Sequence, residues 1–434
     1  MMAIVNGHPA SHGHRSGSGS SLRVLVVQPT GDKMGHHGIF TVKLAHALGK
    51  LGHAVTICTN RIAPEQYLNG PPDFAVETVA GGRLAFERFD EAVNRWPLYY
   101  YWGYYRNSYR ITAAALAMCR TRAFDVVYMT DVEFLVAALL LKAHQGRLPP
   151  VVMEVNAANF SFADYPGSVL KKGYKIAQRE VFRTTLGKEI AACAVLGEWH
   201  QERLRAQLRV PATFPVEVIQ EGSDATDPPP PQSEARRRLG IGYEGPVFLF
   251  FGIIRKDKGI ETLMQAVAGL GGEEFRLIIA GFPMEYSGAE VTELVRKAGA
   301  VDKVILRLGY VAAPEVPAYF GAADALVLPY ARSYRGGSGP LTKGACAYGR
   351  PVIATDVSGM GRFVERHAIG LVCPPEAPET LAQRMQEFMG MLPERRREMG
   401  ERAAAFGRAN TWDAMAARFS KLFDRVVRSD GSDA

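Results

Sequence analysis

The sequence predicts an α/β protein built from two doubly wound parallel-sheet domains that face each other across a cleft. Three observations carry this. The chain has 434 residues, too many for one compact core and suited to two domains of roughly 200 residues each. Short β-branched runs alternate with segments of helical periodicity, which is the pattern of βαβ units. That alternation starts afresh after the proline-rich stretch 227–231.

In chain order, residues 1–21 are rich in Gly, Ser and His, lack an apolar core segment and read as a disordered tail. Leu22–Gln28 reads as a buried strand, followed by the Gly-containing loop Pro29–Gly38. Val42, Leu44, Ala45, Leu48 and Leu51 then space out a helix that Gly52 ends, and Ala54–Cys58 is the next strand. Asp125–Met129, Val151–Val155 and Ala192–Leu196 continue the first domain. The stiff Asp227–Pro231 segment suits a linker. Beyond it, Pro246–Phe251, Arg276–Ala280, Lys303–Leu306, Ala325–Leu328 and Pro351–Ala354 read as strands of the second domain, with a helix from about Ile260. The predicted boundaries are 22–222, 223–410 and a terminal helix, 411–434, crossing back to the first domain.

Composition narrows the function classes. The chain is 47% hydrophobic and 22% charged, a folded, globular balance. Its longest apolar run, Leu135–Leu141, falls well short of the ~20 residues that span a bilayer. Five scattered cysteines without CxxC spacing support neither a disulfide framework nor a zinc cluster, which fits a reducing, cytoplasmic compartment. The net charge is +7, mostly from the first half. It suits an anionic ligand or a membrane surface, and no basic block is dense enough to argue for nucleic acid.

Two stretches carry candidate chemistry. In Phe250–Ile260 a hydrophobic strand ends at Gly252, and Arg255 and Lys258 follow just before a helix. Two cations and the free N–H groups of a helix start would hold a diphosphate. In Ser333–Lys343 three glycines surround Ser338, letting the backbone approach a ligand closely.

The order of these elements resembles the retaining GT-B glycosyltransferases of the GT4 family (glycosyl transferases group 1), from about Leu22 to Val427. Gly35, Leu44-Ala45 and Gly52–Val55 resemble its N-terminal pattern, and Ile219–Asp224 its hinge. Gly252…Arg255…Lys258-Gly259 resembles its donor-phosphate motif; Ala280-Gly281, Leu308–Tyr310, Ala323…Pro329 and Gly349–Thr355 fill in the rest, with Trp412 in the crossing helix. The resemblance implies two Rossmann-like domains, the second binding a nucleoside-diphosphate sugar and the first a hydroxyl acceptor. It implies Arg255 and Lys258 as the catalytic cations that neutralise the leaving diphosphate. Gly252, Gly281, Tyr310, Ser338, Gly339, Leu341 and Thr342 would line the donor side, and Gly35, His36, His37 and Asn156 the acceptor side. No metal or cofactor is expected, since the nucleotide sugar, most often a UDP-sugar, is a substrate.

The sequence departs from the family at three points. Its paired glutamates, spaced E-x7-E, fall on Gly336 and Gly344, and the histidine common after the Val151 strand is Asn156, which cannot act as acid or base. Sugar recognition would then fall to the backbone of Ser338, Gly339 and Leu341, or to Thr342 and Lys343. These losses keep open a second reading, a nucleotide-sugar-binding pseudoenzyme or regulatory subunit. Two segments fit no motif. Residues 99–109 hold seven aromatics, with Arg106 and Arg110 beside them, and Lys171, Lys172, Lys175, Arg179, Arg183 and Lys188 recur near helical spacing. Packing against the sheet and contact with sugars or a membrane both remain open for the first; a solvated face and anionic lipid headgroups remain open for the second. The expected compartment is the cytoplasm, with peripheral contact at the inner membrane face left open.

Overall fold

The computed structural model describes residues 21–31, 36–68, 70–79, 97–156, 160, 169–224 and 229–432. Most of the N-terminal tail, Gly35, the start of the 227–231 linker and the side chains of His36, Tyr99, Tyr100, Tyr101 and Lys171 lie outside what is described.

Two parallel sheets form the molecule. The first holds β1 (Arg23–Gln28), β2 (Ala54–Thr59), β3 (Ala75–Thr78), β4 (Val126–Met129), β5 (Val151–Glu154), β6 (Ala192–Val195) and β7 (Val216–Val218), in the order β3-β2-β1-β4-β5-β6-β7. The second holds β8 (Val247–Phe251), β9 (Arg276–Gly281), β10 (Val304–Leu308), β11 (Ala325–Leu328), β12 (Val352–Thr355) and β13 (Gly370–Cys373), in the order β10-β9-β8-β11-β12-β13. In both, the order reverses between the first and fourth strands, the switch point where such sheets open a crevice at their carboxyl ends.

Burial explains why these runs are strands. Along β1, Leu25 and Val27 point into one apolar layer and Val24 and Val26 into the other, so each pleat face meets a helix layer. The layer with Leu25 takes Ile111, Leu116, Ala137, Leu141, Phe182 and Leu204 from four helices. The opposite layer takes Leu44 and Leu48 from helix His36–Lys50, and Phe419 and Phe423 from helix Trp412–Ser432. The last helix of the chain therefore completes the first domain's core, with Tyr128 stacking edge-on to Phe419 at 4.9 Å.

The first helix begins at His36, before the apolar spacing that predicts it. Strands β3, β7 and β13 went unread in the sequence. After Gly339 the chain does not enter an ordinary α-helix: residues 340–346 form a wide-turn π-helix. That turn type is uncommon and clusters at functional sites.

Candidate active site

The donor-side residues converge at the carboxyl ends of β8, β9 and β11. Gly252 follows β8 and Gly281 ends β9, and the two backbones nearly touch. A methyl group on Gly281 would lie 1.8 Å from the Gly252 carbonyl oxygen, and the φ of +150° is one that side chains resist. From that turn, Arg255 extends its guanidinium to both oxygens of Asp257 at 3.0 and 2.9 Å. A planar fork held this way is oriented before any ligand arrives.

Lys258 is placed differently. Its Nζ lies 3.7 Å from the ring centre of Tyr330 and 4.2 Å from that of Tyr334, a cation–π box. No hydrogen bond joins it to a carboxylate among the described residues. Burial, and then the nearby Arg255 charge, pulls its amine down to about 7. The two tyrosines in turn hold the glycine loop: the Tyr330 hydroxyl pairs with Ser338 Oγ at 3.0 Å, and the Tyr334 hydroxyl donates to the Gly337 carbonyl. Lys258 and the loop 336–339 are thus one assembly joined by two aromatic rings, with the Arg255 charge close to Lys258. Neither tyrosine carried a sequence signal as a site residue, because each acts through space.

The loop itself is turned inward. The N–H groups of Leu341 and Thr342 both donate to the Ser338 carbonyl at 3.1 Å, so they are committed within the loop. The Lys343 amine pairs with Glu221 of the segment joining the domains. Gly344 lies against the Phe320 ring: a methyl group there would lie 2.3 Å from the ring.

Tyr310, after β10, is exposed, and the Tyr67 phenol of the first domain is pushed up by burial and by the nearby Tyr310. Tyr67 also lies against Gly38, where a methyl group would be 3.0 Å from its hydroxyl. The two domains thus approach each other at this point. A neighbouring cavity of about 470 Å³ between the domains is lined by Gly197, His200, Gln220, Gly337, Ser338 and Arg362. It shares the glycine loop but not Arg255 or Lys258.

On the acceptor side, His37 Nδ1 lies 2.5 Å from Asp131 Oδ2. Asp131 follows β4 with φ +53°, a conformation rare outside glycine and costly to hold. The same carboxylate oxygen accepts from the buried Gln28 Nε2 at 2.9 Å, and the Tyr104 hydroxyl donates to the Asp131 carbonyl at 3.3 Å. This cluster sits at the β1/β4 switch point. Sequence reading found His37 and missed Asp131, which no local motif marks. Asn156, after β5, is half-buried, and its Oδ1 finds no donor among the described residues.

Two family signatures match the chain: a glycosyl transferase 4-like domain over residues 37–222 and glycosyl transferases group 1 over 231–406. The chain belongs to the group 1 glycosyltransferases, with the GT-B fold. Among relatives of this family, D-inositol 3-phosphate glycosyltransferase of Corynebacterium glutamicum is 31% identical over 228 residues, 50% of this chain and 51% of that protein. Alpha-D-kanosaminyltransferase of Streptomyces kanamyceticus is 24% identical over 59% of this chain and 65% of its own. The chain thus spans about half to two thirds of the length of these curated relatives. Among solved GT-B structures, sucrose-phosphate synthase from Thermosynechococcus elongatus superposes with a TM-score of 0.72 at 19% identity, covering 94% of this chain and 100% of that one. Anabaena HepE in complex with UDP and glucose gives 0.68 at 15%, covering 92% and 99%. These likenesses show the fold.

Proposed function

We propose that this group 1 glycosyltransferase moves a sugar from a nucleoside diphosphate, UDP foremost, to a hydroxyl acceptor with retention of anomeric configuration. The observation that carries the reading is the assembly of Lys258 and the 336–339 glycine loop through Tyr330 and Tyr334, with the Arg255 charge beside Lys258. Charge builds on the diphosphate as the sugar C–O bond breaks, and two cations at the mouth of a glycine turn are suited to take it up. In this reading the acceptor oxygen forms its bond on the face the diphosphate leaves, and a diphosphate oxygen receives the hydroxyl proton. No protein base and no metal are then required. His37, fixed by Asp131, and Asn156, with its unfilled acceptor oxygen, would meet the acceptor. Support for UDP comes from the UDP-bound Anabaena neighbour; support for a polyol acceptor comes from the inositol 3-phosphate relatives, and the kanosaminyl relative, named for the sugar it moves, supports the transfer itself. We read the working compartment as the cytoplasm.

The test is calorimetric titration with UDP, GDP, ADP and dTDP, EDTA present throughout, on the wild type and on Arg255→Ala/Lys258→Ala. One nucleotide, UDP, should bind the wild type. Removing two charge-assisted contacts of about 1.5–3 kcal/mol each should weaken it at least about a hundredfold. A double variant that melts like the wild type and binds UDP equally well would refute the site. Binding of the UDP-sugar without transfer or hydrolysis would favour a pseudoenzyme, the reading that Gly336 and Gly344 keep open.

A further inference from the structure

Three helices of the first domain lie side by side on the sheet face opposite the crossing helix: Pro97–Thr121, Phe134–Ala143 and Val169–Arg183. Their inner sides fill the core, and Tyr105 of the first meets Tyr174 of the third edge-on at 5.8 Å. Their outer sides are unusual in two independent respects.

The first is apolar exposure. Trp102, Tyr109, Leu139, Val169 and Ile176 are all exposed, and Trp102 and Val169 are 66% and 84% accessible. The other exposed large apolar side chains among the described residues, Leu51, Val301, Tyr310 and Leu392, lie on four separate segments. Trp102 and Tyr109 are seven residues apart, as are Val169 and Ile176, so each pair shares one stripe of its helix. Contiguous apolar exposure of this kind marks an interaction surface.

The second is charge. The first helix carries three arginines and no acidic residue, the second one lysine and no acidic residue. The third carries five basic residues, of which Lys175 turns inward to donate to the buried Gln178 at 2.8 Å, and Glu180, which is already bonded to Arg179 and Arg183 at 2.8 and 3.1 Å. Cations accompany the stripes: Arg106, half-buried with its Nε turned in, stands between Trp102 and Tyr109, exposed Arg110 follows Tyr109, and exposed Lys172 stands between Val169 and Ile176. A protein interface concentrates apolar residues at its centre and excludes charge from it. Interleaved Trp, Tyr, aliphatic and basic residues instead match a headgroup layer, where rings sit at the boundary and cations meet lipid phosphates.

We infer that this three-helix face docks the protein on an anionic bilayer. Topology adds a direction. Each helix returns from the carboxyl edge of a parallel strand to the start of the next, so helix N-termini, and with them Trp102 and Val169, lie on the edge where the cleft opens. Docking therefore holds the cleft mouth at the lipid surface. In the enzyme proposed above, and resting on that reading, a lipid-borne hydroxyl acceptor reaches the site without leaving the membrane.

Flotation of the purified full chain with phosphatidylcholine vesicles, with and without phosphatidylglycerol, tests the docking itself and needs neither donor nor acceptor. The wild type should float with the anionic vesicles and stay behind with neutral ones. Arg110→Glu/Lys172→Glu, at two exposed positions, should lower partitioning at least about tenfold. Trp102→Ala/Tyr109→Ala should lower it as well, with circular dichroism and UDP affinity unchanged in both. Val301→Ala/Leu392→Ala, which removes apolar exposure elsewhere, should float like the wild type. A wild type that stays behind with anionic vesicles, floats equally with neutral ones, or is unaffected by either pair of stripe substitutions overturns the inference. Loss of UDP binding alone would overturn the donor site and leave the docking standing.

Discussion

In the proposed donor site, Lys258 is the residue at which protonation and ligand binding should be coupled. In the free protein its amine is pulled down to about 7 by burial and by Arg255. A bound diphosphate supplies the counter-charge that the tyrosine box lacks, so its pKa rises on binding. Above pH 7 binding must then take up a proton, and nucleotide affinity should fall toward one log unit per pH unit between about pH 7 and 9. Calorimetry in buffers of different ionisation heat checks this: proton uptake at pH 8 that vanishes in Lys258→Met supports it, and uptake unchanged in that variant removes it. The folding linkage has its own sign. The native pKa is depressed below the unfolded value, so between the two the unfolded chain binds more protons, and unliganded stability rises with pH across that window. Arg255 and Lys258 were legible in the sequence because turn, cations and helix start are contiguous. Tyr330, Tyr334 and Asp131 were not, since what each does is set by a partner brought to it by the fold.

Among the elements, the wide-turn helix 340–346 explains most about the departure from the family pattern. Gly344 faces Phe320, whose ring stacks on Tyr348 at 5.3 Å. A side chain at 344 is excluded by packing here, so restoring the family glutamate at that position should not restore its role. Gly344→Ala should cost about 1–3 kcal/mol through overpacking, read as a lower melting temperature. Combining it with Phe320→Leu should cost less than the sum of the single changes, since the two sites share one contact. Additive losses would show that the ring is not the obstacle. The same scale shows where sequence reading stops. The central strands, buried on both faces, are continuous β-branched runs and were all read. The three unread strands, β3, β7 and β13, are all sheet edges. An edge strand is hydrogen-bonded on one side only, and β3 and β7 are short and half-exposed, so neither length nor periodicity separated them from loops. The inward turn of the glycine loop was equally hidden, because glycine spacing gives conformational freedom without saying how it is used.

At the scale of the whole molecule, the domains are joined twice and braced as well. The joining segments run side by side: the Ser223 N–H donates to the Asn410 carbonyl at 3.0 Å, and Gly222 lies against the Trp412 backbone. Lys343 to Glu221 ties the donor loop directly to this hinge. The brace is a pair of helices facing across the domains, where Glu198 meets Arg366 and Glu202 meets Arg362. Both partners stand four residues apart on their helices, so the two ion pairs register one helix against the other. All four side chains are about three-fifths exposed, which leaves each pair a small, solvent-screened attraction. That is small for stability and large for a domain equilibrium, where 1.4 kcal/mol shifts the populations about tenfold. Arg362→Glu/Arg366→Glu should therefore open the molecule with almost no change in melting temperature. The shift should appear as a larger radius of gyration in solution scattering, and concentrated salt should move the wild type in the same direction. UDP should close the variant again if its diphosphate bridges the hinge-linked loop and the Arg255 turn. A radius that responds neither to the substitution nor to salt would place the control of the cleft in the buried Lys343–Glu221 pair instead.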